Sequence, residues 1–231
     1  MKIIILAGGE AARLQSVARG VPKPLVLIKG EAILTRIVLF FYAFGINDVG
    51  IIANKKEERF FRDWSKQFPN TTGQPEPTFF WENKRAGTFG CLREAKKWLY
   101  GSDFMVTNGD CLLDFDLERL YKFYKIQKRI VVLPLLRNIA RGRYASVKKK
   151  NGVVKELEIK EVLEGNRVSA GPYLFRSSIF AYDNKKSNLN IEADIFPQLI
   201  SQGEIVSIEI SPSRCIDCGT VEGWKQAGVL W

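Results

Sequence analysis

Through its first half the chain alternates short apolar runs with segments whose apolar residues recur at helical spacing, and few folds accommodate that alternation. The runs Ile3–Ala7, Val49–Ala53, Thr78–Trp81, Phe104–Thr107 and Ile130–Leu136 predict strands. Between them, Ala32–Phe44, Glu57–Phe68, Thr88–Leu99 and Leu117–Tyr124 predict helices. Phe60, Phe61, Trp64 and Phe68 line one side of the second helix, and Gly45 is placed to stop the first. Asn70–Pro77 predicts a turn-rich connector. Strands separated by helices in this way imply an α/β architecture with a mostly parallel sheet and right-handed crossovers.

The second half reads differently. Ala145–Lys149, Val153–Ile159 and Val168–Phe175 predict strands, joined by a hairpin turn at Asn151-Gly152 and a loop at Glu164–Asn166. There follow a helix over Ile191–Ser201 with an irregularity at Pro197, a strand over Ile205–Ile210, and a helix over Val221–Val229 capped by Thr220. No repeat, low-complexity run or linker interrupts the chain. Residues 1–231 are therefore expected to form one domain, with a β-rich lobe at about 137–175 beside the sheet.

The 231 residues suffice for a substantial core. No apolar run reaches the roughly 18 residues that a membrane span needs. The apolar region after Lys2 is too short for a secretory signal, so a cytoplasmic location is expected, with no membrane partner. The net charge of +10 suits an anionic ligand. Its basic residues are spread along the chain, apart from Lys84-Arg85 and Lys148-Lys149-Lys150, without the basic-aromatic stripe that would suggest nucleic acid. Cys215 and Cys218 form a C-x-x-C, but no second pair or histidine completes a zinc site, and Cys91, Cys111, Cys215 and Cys218 read as structural. The absence of histidine leaves carboxylates, lysines and metal ions as the candidates for chemistry.

In open sheets of this kind ligands collect at the carboxyl ends of the strands. Two segments fall there: Gly8-Gly9 after the first strand, and Asn108-Gly109-Asp110 after Phe104–Thr107. A buried strand running into paired glycines brings backbone N–H groups close to phosphate oxygens, and Arg13 and Lys23 add cations near that loop. The ligand expected is anionic, and a nucleotide fits best.

The order of these pieces resembles the sugar-phosphate nucleotidyltransferase family, and looks most like its heptose 1-phosphate guanylyltransferase-like members. Leu6-Ala7-Gly8-Gly9 with Arg13-Leu14 resembles the nucleotide-binding opening, and Pro22-Lys23-Pro24-Leu25-Val26 the lysine loop. Glu82 with Gly87-Thr88 resembles the base-recognition segment. Asn108-Gly109-Asp110 and Ile216-Asp217-Cys218-Gly219-Thr220 resemble the two metal-aspartate segments. Weaker matches are Ser169–Phe175, which contains Gly171, and Glu192–Pro197.

The resemblance implies a Rossmann-like fold of the nucleotide-diphospho-sugar transferase type, whose β-rich lobe binds the sugar. It implies transfer of a nucleotidyl group from a nucleoside triphosphate, with GTP favoured, to a sugar 1-phosphate, with release of pyrophosphate and help from Mg2+. Asp110 and Asp217 would hold the metal. Arg13 would draw charge onto the leaving pyrophosphate, Lys23 would hold the α-phosphate and the sugar phosphate, and Lys160 would reach the sugar phosphate from the lobe. Glu82 and Gly87 would face the base, where a carboxylate suits the donor edge of guanine. A phosphate monoester is already ionised near neutral pH, so no general base is needed. Homo-oligomerisation stays open.

The chain departs from the family pattern at Ala11 and Ala12 in the opening loop, at Phe89 after Gly87-Thr88, and at Ala145, Ile159 and Ser169 on the sugar side. These departures keep two alternatives open. One is CMP transfer to a non-sugar phosphate such as a phosphorylated alcohol or polyol. The other is a non-catalytic nucleotide-sugar sensor or scaffold subunit.

Overall fold

Strand β1 (Lys2–Leu6) is buried on both faces, and its side chains divide between two cores. Ile3 and Ile5 pack on one side of the sheet, Ile4 on the other. The same alternation separates Ile51 and Ala53 from Ile52, and Met105 from Phe104 and Val106. Continuous apolar runs are what strands covered on both faces require, since each fully buried Ile contributes roughly 1.5–3 kcal/mol.

The structure is a computed structural model describing residues 1–9 and 12–231, with Ala12 by its backbone alone. The departures at Ala11 and at the Ala12 side chain lie outside the described residues. Further strands are β2 (Leu27–Ile28), β3 (Glu31–Ala32), β4 (Val49–Asn54), β5 (Thr78–Glu82), β6 (Phe104–Asn108), β7 (Cys111–Phe115) and β8 (Val131–Arg137). Then come β9 (Gly142–Lys150), β10 (Val153–Val162), β11 (Arg167–Val168), β12 (Tyr173–Phe175), β13 (Ile205–Glu209) and β14 (Ser213–Asp217). The main sheet runs β5-β4-β1-β6-β12-β8-β13-β10-β9, with β11 on β8. Strands β5, β4, β1 and β6 are parallel neighbours, as are β8 and β13. Strand β12 lies antiparallel between β6 and β8. The β9–β10 hairpin turns at Asn151 and Gly152, both with positive φ, and closes one edge. The mixed α/β architecture with a largely parallel central sheet agrees with the sequence.

Helix Ile33–Ala43 ends where Gly45 takes φ +73° and donates to Tyr42 O, and Thr220 caps Val221–Leu230 by accepting from Gly223 N at 3.1 Å. Three expectations need correction. Asn70–Pro77 is a connector only in part, because helix Glu58–Thr72 continues to Thr72 before Gly73 ends it. The predicted helix Thr88–Leu99 is broken into Gly87–Gly90, a 3-10 turn Cys91–Arg93, and Lys96–Leu99. Leu189 O accepts from Phe89 and Gly90, both at 2.9 Å, and Arg93 is drawn to Asp183 at 2.6 Å, so tertiary bonds override the helical period. The predicted strand Val168–Phe175 divides into β11 and β12 around Gly171, at φ +79°. The helix expected over Ile191–Ser201 is present, with its irregularity beside Pro197: a π-helical turn Ile191–Ile195 runs into Phe196–Ser201, whose first turn holds the proline. Strand β7 is absent from the sequence reading altogether. Among the described residues no helix is long and apolar enough to cross a membrane.

The Arg93–Asp183 pair fastens the Gly87–Arg93 segment to the 183–190 loop. Hydrogen bonds from Arg93 hold the Asp183 carboxyl well below the usual carboxylate range. The folded value is the lower one, so Asp183 stabilises the fold above its unfolded value of about 3.9, and this contribution fades as pH falls below that. Asp183→Asn is expected to lower Tm by about 5 °C near pH 7. The gap to the wild type should narrow progressively as thermal melts are taken below about pH 4; a constant gap would contradict the pairing.

Candidate active site

The carboxyl ends of β1, β4, β5 and β6 form one rim. Gly8 and Gly9 leave β1 there, Glu82 ends β5, and Asn108-Gly109-Asp110 turns from β6 into β7. Gly109 N donates to Leu6 O at 2.9 Å, which ties the two loops together. A cavity of about 380 Å³ opens over this rim, lined in part by Leu6, Gly8, Gly9, Lys23, Glu82, Gly87, Thr88, Asn108, Gly109 and Asp110. Ala7 is buried beneath it and does not line it.

Strand β14 pairs antiparallel with β7, with Asp217 opposite Cys111. That register carries Asp217 to Asp110 across 107 positions of sequence, and Cys218 N donates to Asp110 O at 2.8 Å. Lys23 is buried in a 3-10 turn bracketed by Pro22 and Pro24, and its Nζ lies 2.6 Å from Asp110 Oδ2. Arg13 Nη1 is 3.9 Å from Asp217 Oδ2. Gly219 forms the floor. A Cβ there would stand 2.7 Å from each of Asp110 Oδ2, Asp217 Oδ1 and Lys23 Nζ, so the three charged groups converge on one point. Burial, and secondarily the Asp110 charge, push the Asp217 carboxyl up, while the Gly219 N–H at 2.7 Å opposes the shift.

This set fits a divalent hard cation. Two facing carboxylates whose repulsion a cation would relieve, beside space for phosphate oxygens and waters, match what Mg2+ takes from a protein. Among the described residues no group of three or more His, Cys, Asp or Glu is placed to hold a metal.

A second cavity of about 160 Å³ lies on the other side of Asp110, lined by Arg13, Arg143, Tyr144, Ser169, Glu192 and Asp217 among others. Asn108 and Asp110 line both cavities. The departures Ala145, Ile159 and Ser169 meet on its wall: Ile159 pairs with Ala145, and Ser169 N donates to Ala145 O at 2.8 Å. Arg13 opens onto this cavity and not onto the larger one. Lys160 lines neither; its ammonium is 3.2 Å from Glu158 on the exposed face of β10. Gly171 lies beside Thr107, at the seam between the two.

Glu82 is buried, and burial raises its carboxyl pKa; its Oε1 accepts from Ala86 N at 2.6 Å, leaving Oε2 against Gly8. Gly87 holds φ +82° where a Cβ would strike Asn188 Oδ1 and Leu189 O at 2.5 Å, so only glycine lets the 188–190 loop close over this segment. Phe89 is in the core, and Thr88 bonds toward Ile191 and Glu192. The sequence reading missed Arg143, and it missed roles for Glu192 and Tyr144. Glu192 is half-buried, with its carboxyl pushed up by desolvation, and accepts from Tyr173 Oη at 3.0 Å. Tyr144 Oη accepts from Asp217 N at 3.2 Å and so steadies the Asp217 loop from the hairpin. Nothing local marks Glu192 and Tyr144, because their partners are remote. All four cysteines are buried free thiols, with Cys215 pushed up to about 12 by burial, in keeping with a structural role.

The nucleotidyl transferase family model matches residues 2–228. The chain belongs to this family. It is 24% identical over 222 residues to a Bacillus subtilis protein named "probable glucose-1-phosphate cytidylyltransferase", covering 89% of this chain and 86% of that protein. It is 26% identical over 214 residues to the mannose-1-phosphate guanylyltransferase catalytic subunit beta of Dictyostelium discoideum, covering 91% of this chain but only 59% of that one. The fold is like that of HddC from Yersinia pseudotuberculosis complexed with GMP-PN, with a TM-score of 0.83 at 23% identity over 99% of this chain and 98% of that chain. In this nucleotidyltransferase Gly219→Ala is expected to leave Tm within a few degrees of the wild type and to lower turnover about 100-fold, because the methyl displaces charged groups and not the core. Retained activity would show that the three groups need not converge.

Proposed function

We propose that this nucleotidyltransferase condenses a nucleoside triphosphate bound in the larger cavity with a sugar 1-phosphate bound in the smaller one, with Mg2+ as cofactor. The carrying observation is that two cavities share Asn108 and Asp110, with Lys23 and Asp217 at the junction. Names of the relatives support the substrate class. An oxygen of the sugar phosphate attacks the α-phosphorus, and the bond to the bridging oxygen breaks. Pyrophosphate departs with that electron pair. Both reactants are anions, so the residues must cancel repulsion and hold the groups in line. Gly8 and Gly9 present backbone N–H groups to the triphosphate, and Lys23 stands where the α-phosphate would meet the acceptor. Asp110 and Asp217 would hold the metal, which supplies charge neutralisation across the two phosphates. Arg13 faces the acceptor side, so its role shifts from the leaving group toward the attacking phosphate. The triphosphate requirement suits a cytoplasmic setting.

GTP is the favoured nucleotide. Glu82 Oε2 offers an acceptor to a base that presents N–H donors, which guanine does through two groups. Guanylyltransferase relatives and the GMP-PN in the Yersinia structure point the same way, whereas the Bacillus relative is named for cytidylyl transfer.

Pyrophosphate release from GTP, CTP, UTP and dTTP with a panel of sugar 1-phosphates should show magnesium-dependent turnover, with GTP preferred. Asp110→Asn and Asp217→Asn should each abolish it. No turnover with any pair, together with unchanged triphosphate binding in both variants, would remove the catalytic reading. Turnover confined to CTP with a phosphorylated polyol would replace the sugar acceptor. Glu82→Gln should reduce kcat/KM for GTP by about tenfold or more relative to CTP, the scale of one lost charge-assisted hydrogen bond. An unchanged ratio would place base selection elsewhere.

A further inference from the structure

We propose that Arg143 holds the phosphate of the acceptor substrate at the mouth of the smaller cavity. This rests on the two-cavity reading above and names a residue that neither the sequence motifs nor the family resemblance assigns.

The other cations near that cavity are already engaged. Lys23 is bound to Asp110 at 2.6 Å, and Arg13 is drawn toward Asp217 at 3.9 Å. Arg141, two residues before Arg143 on the approach to β9, is paired with Glu161 at 2.8 Å. Glu161 is also the residue opposite Arg143 in the β9–β10 register, so the carboxylate closest in the ladder to Arg143 is taken. Lys160 is held by Glu158 and lines no cavity. Arg143 is exposed, lines the cavity, and makes no hydrogen bond or ion pair with any described residue. A guanidinium left unpaired at the edge of an anion-accepting pocket can offer two parallel N–H groups to a phosphate without first breaking a bond.

The rest of the cavity fits a phosphorylated polyhydroxy compound. Ser169 is 3% exposed, and its Oγ, near the Tyr173 hydroxyl, has no hydrogen bond of acceptable geometry. A buried hydroxyl without a partner on a cavity wall is a place for a ligand hydroxyl. The Glu192 carboxylate lies on the same wall as a further acceptor. With the phosphate at Arg143 and Arg13 and the hydroxyls toward Ser169 and Glu192, the acceptor phosphate faces Asp110 and Asp217, where the reaction takes place.

The test is calorimetric titration of glucose 1-phosphate and mannose 1-phosphate into the wild type, Arg143→Ala, Arg143→Lys and Lys160→Ala, with GTP titrated into each in parallel. Arg143→Ala should weaken sugar-phosphate binding about tenfold or more while leaving GTP affinity within twofold. Arg143→Lys should recover part of the loss, because it restores the charge but not the planar fork. For any pair that turns over, the acceptor KM should rise while the KM for GTP stays. Three results would overturn the assignment: Arg143→Ala binding the acceptor as the wild type does, the loss appearing in Lys160→Ala instead, or a wild type that binds neither sugar phosphate. A protein that loses acceptor binding with Arg143→Ala yet never releases pyrophosphate would keep this site and lose the catalytic reading, so the two failures are distinct. Arg143 is exposed, and an unchanged Tm would show that the variants fold.

Discussion

The candidate site depends on the convergence of Asp110, Asp217 and Lys23 over Gly219. Placing two carboxylates this close is unfavourable unless a cation lies with them, and the structure supplies one directly in Lys23, 2.6 Å from Asp110. The residual strain is visible in Asp217, whose carboxyl is pushed up by burial first and by Asp110 second. A divalent cation held between the two carboxylates would relieve it further. The absence of a side chain at Gly219 is as much a part of the site as the charges, because a single methyl would occupy the point where they meet.

Around that point the fold joins two unlike surfaces. The parallel half of the sheet provides the glycine loop, Glu82 and the base-side segment, all at strand ends where backbone groups are free for ligands. The antiparallel half provides the β9–β10 hairpin and the broken segment between β11 and β12. The two halves meet through β12, which lies between β6 and β8, and through Tyr144, which reaches from the hairpin to Asp217. Loop 188–190 and Glu192 close the opposite side by bonding to Gly87–Gly90 and Thr88. The walls of the two cavities are thus braced by elements belonging to each other.

The apolar runs and the paired glycines of the parallel half were legible because local period and burial agree there: β1, β4, β5, β6 and β8 appear within a residue or so of their expected places. The helix over Thr88–Leu99 was legible in composition but not in outcome, since the Leu189 carbonyl and Asp183 take groups that a continuous helix would use. Strand β7 was hidden because Cys111–Phe115 follows a turn so closely that its run reads as an extension of the loop, and it becomes a strand only through β14. Lys160 shows the limit of a motif: the lysine stands at the matching position, yet its ammonium pairs with Glu158 while Ile159 faces the cavity.

The sequence by itself determined the α/β alternation, the phosphate loop, and the identity of the charged residues at the site, because strand period, glycine placement and residue chemistry are local properties. Tertiary structure decided which of those residues meet. Asp217 reaches Asp110 through the β7–β14 register, and Ala145, Ile159 and Ser169, scattered along the chain, become one wall. Among the described residues Arg143 has no partner, while Arg141 engages Glu161, the neighbour of Arg143 in the ladder. Such pairings follow from register, from side-chain direction and from competition for partners far apart in sequence, none of which a local pattern contains.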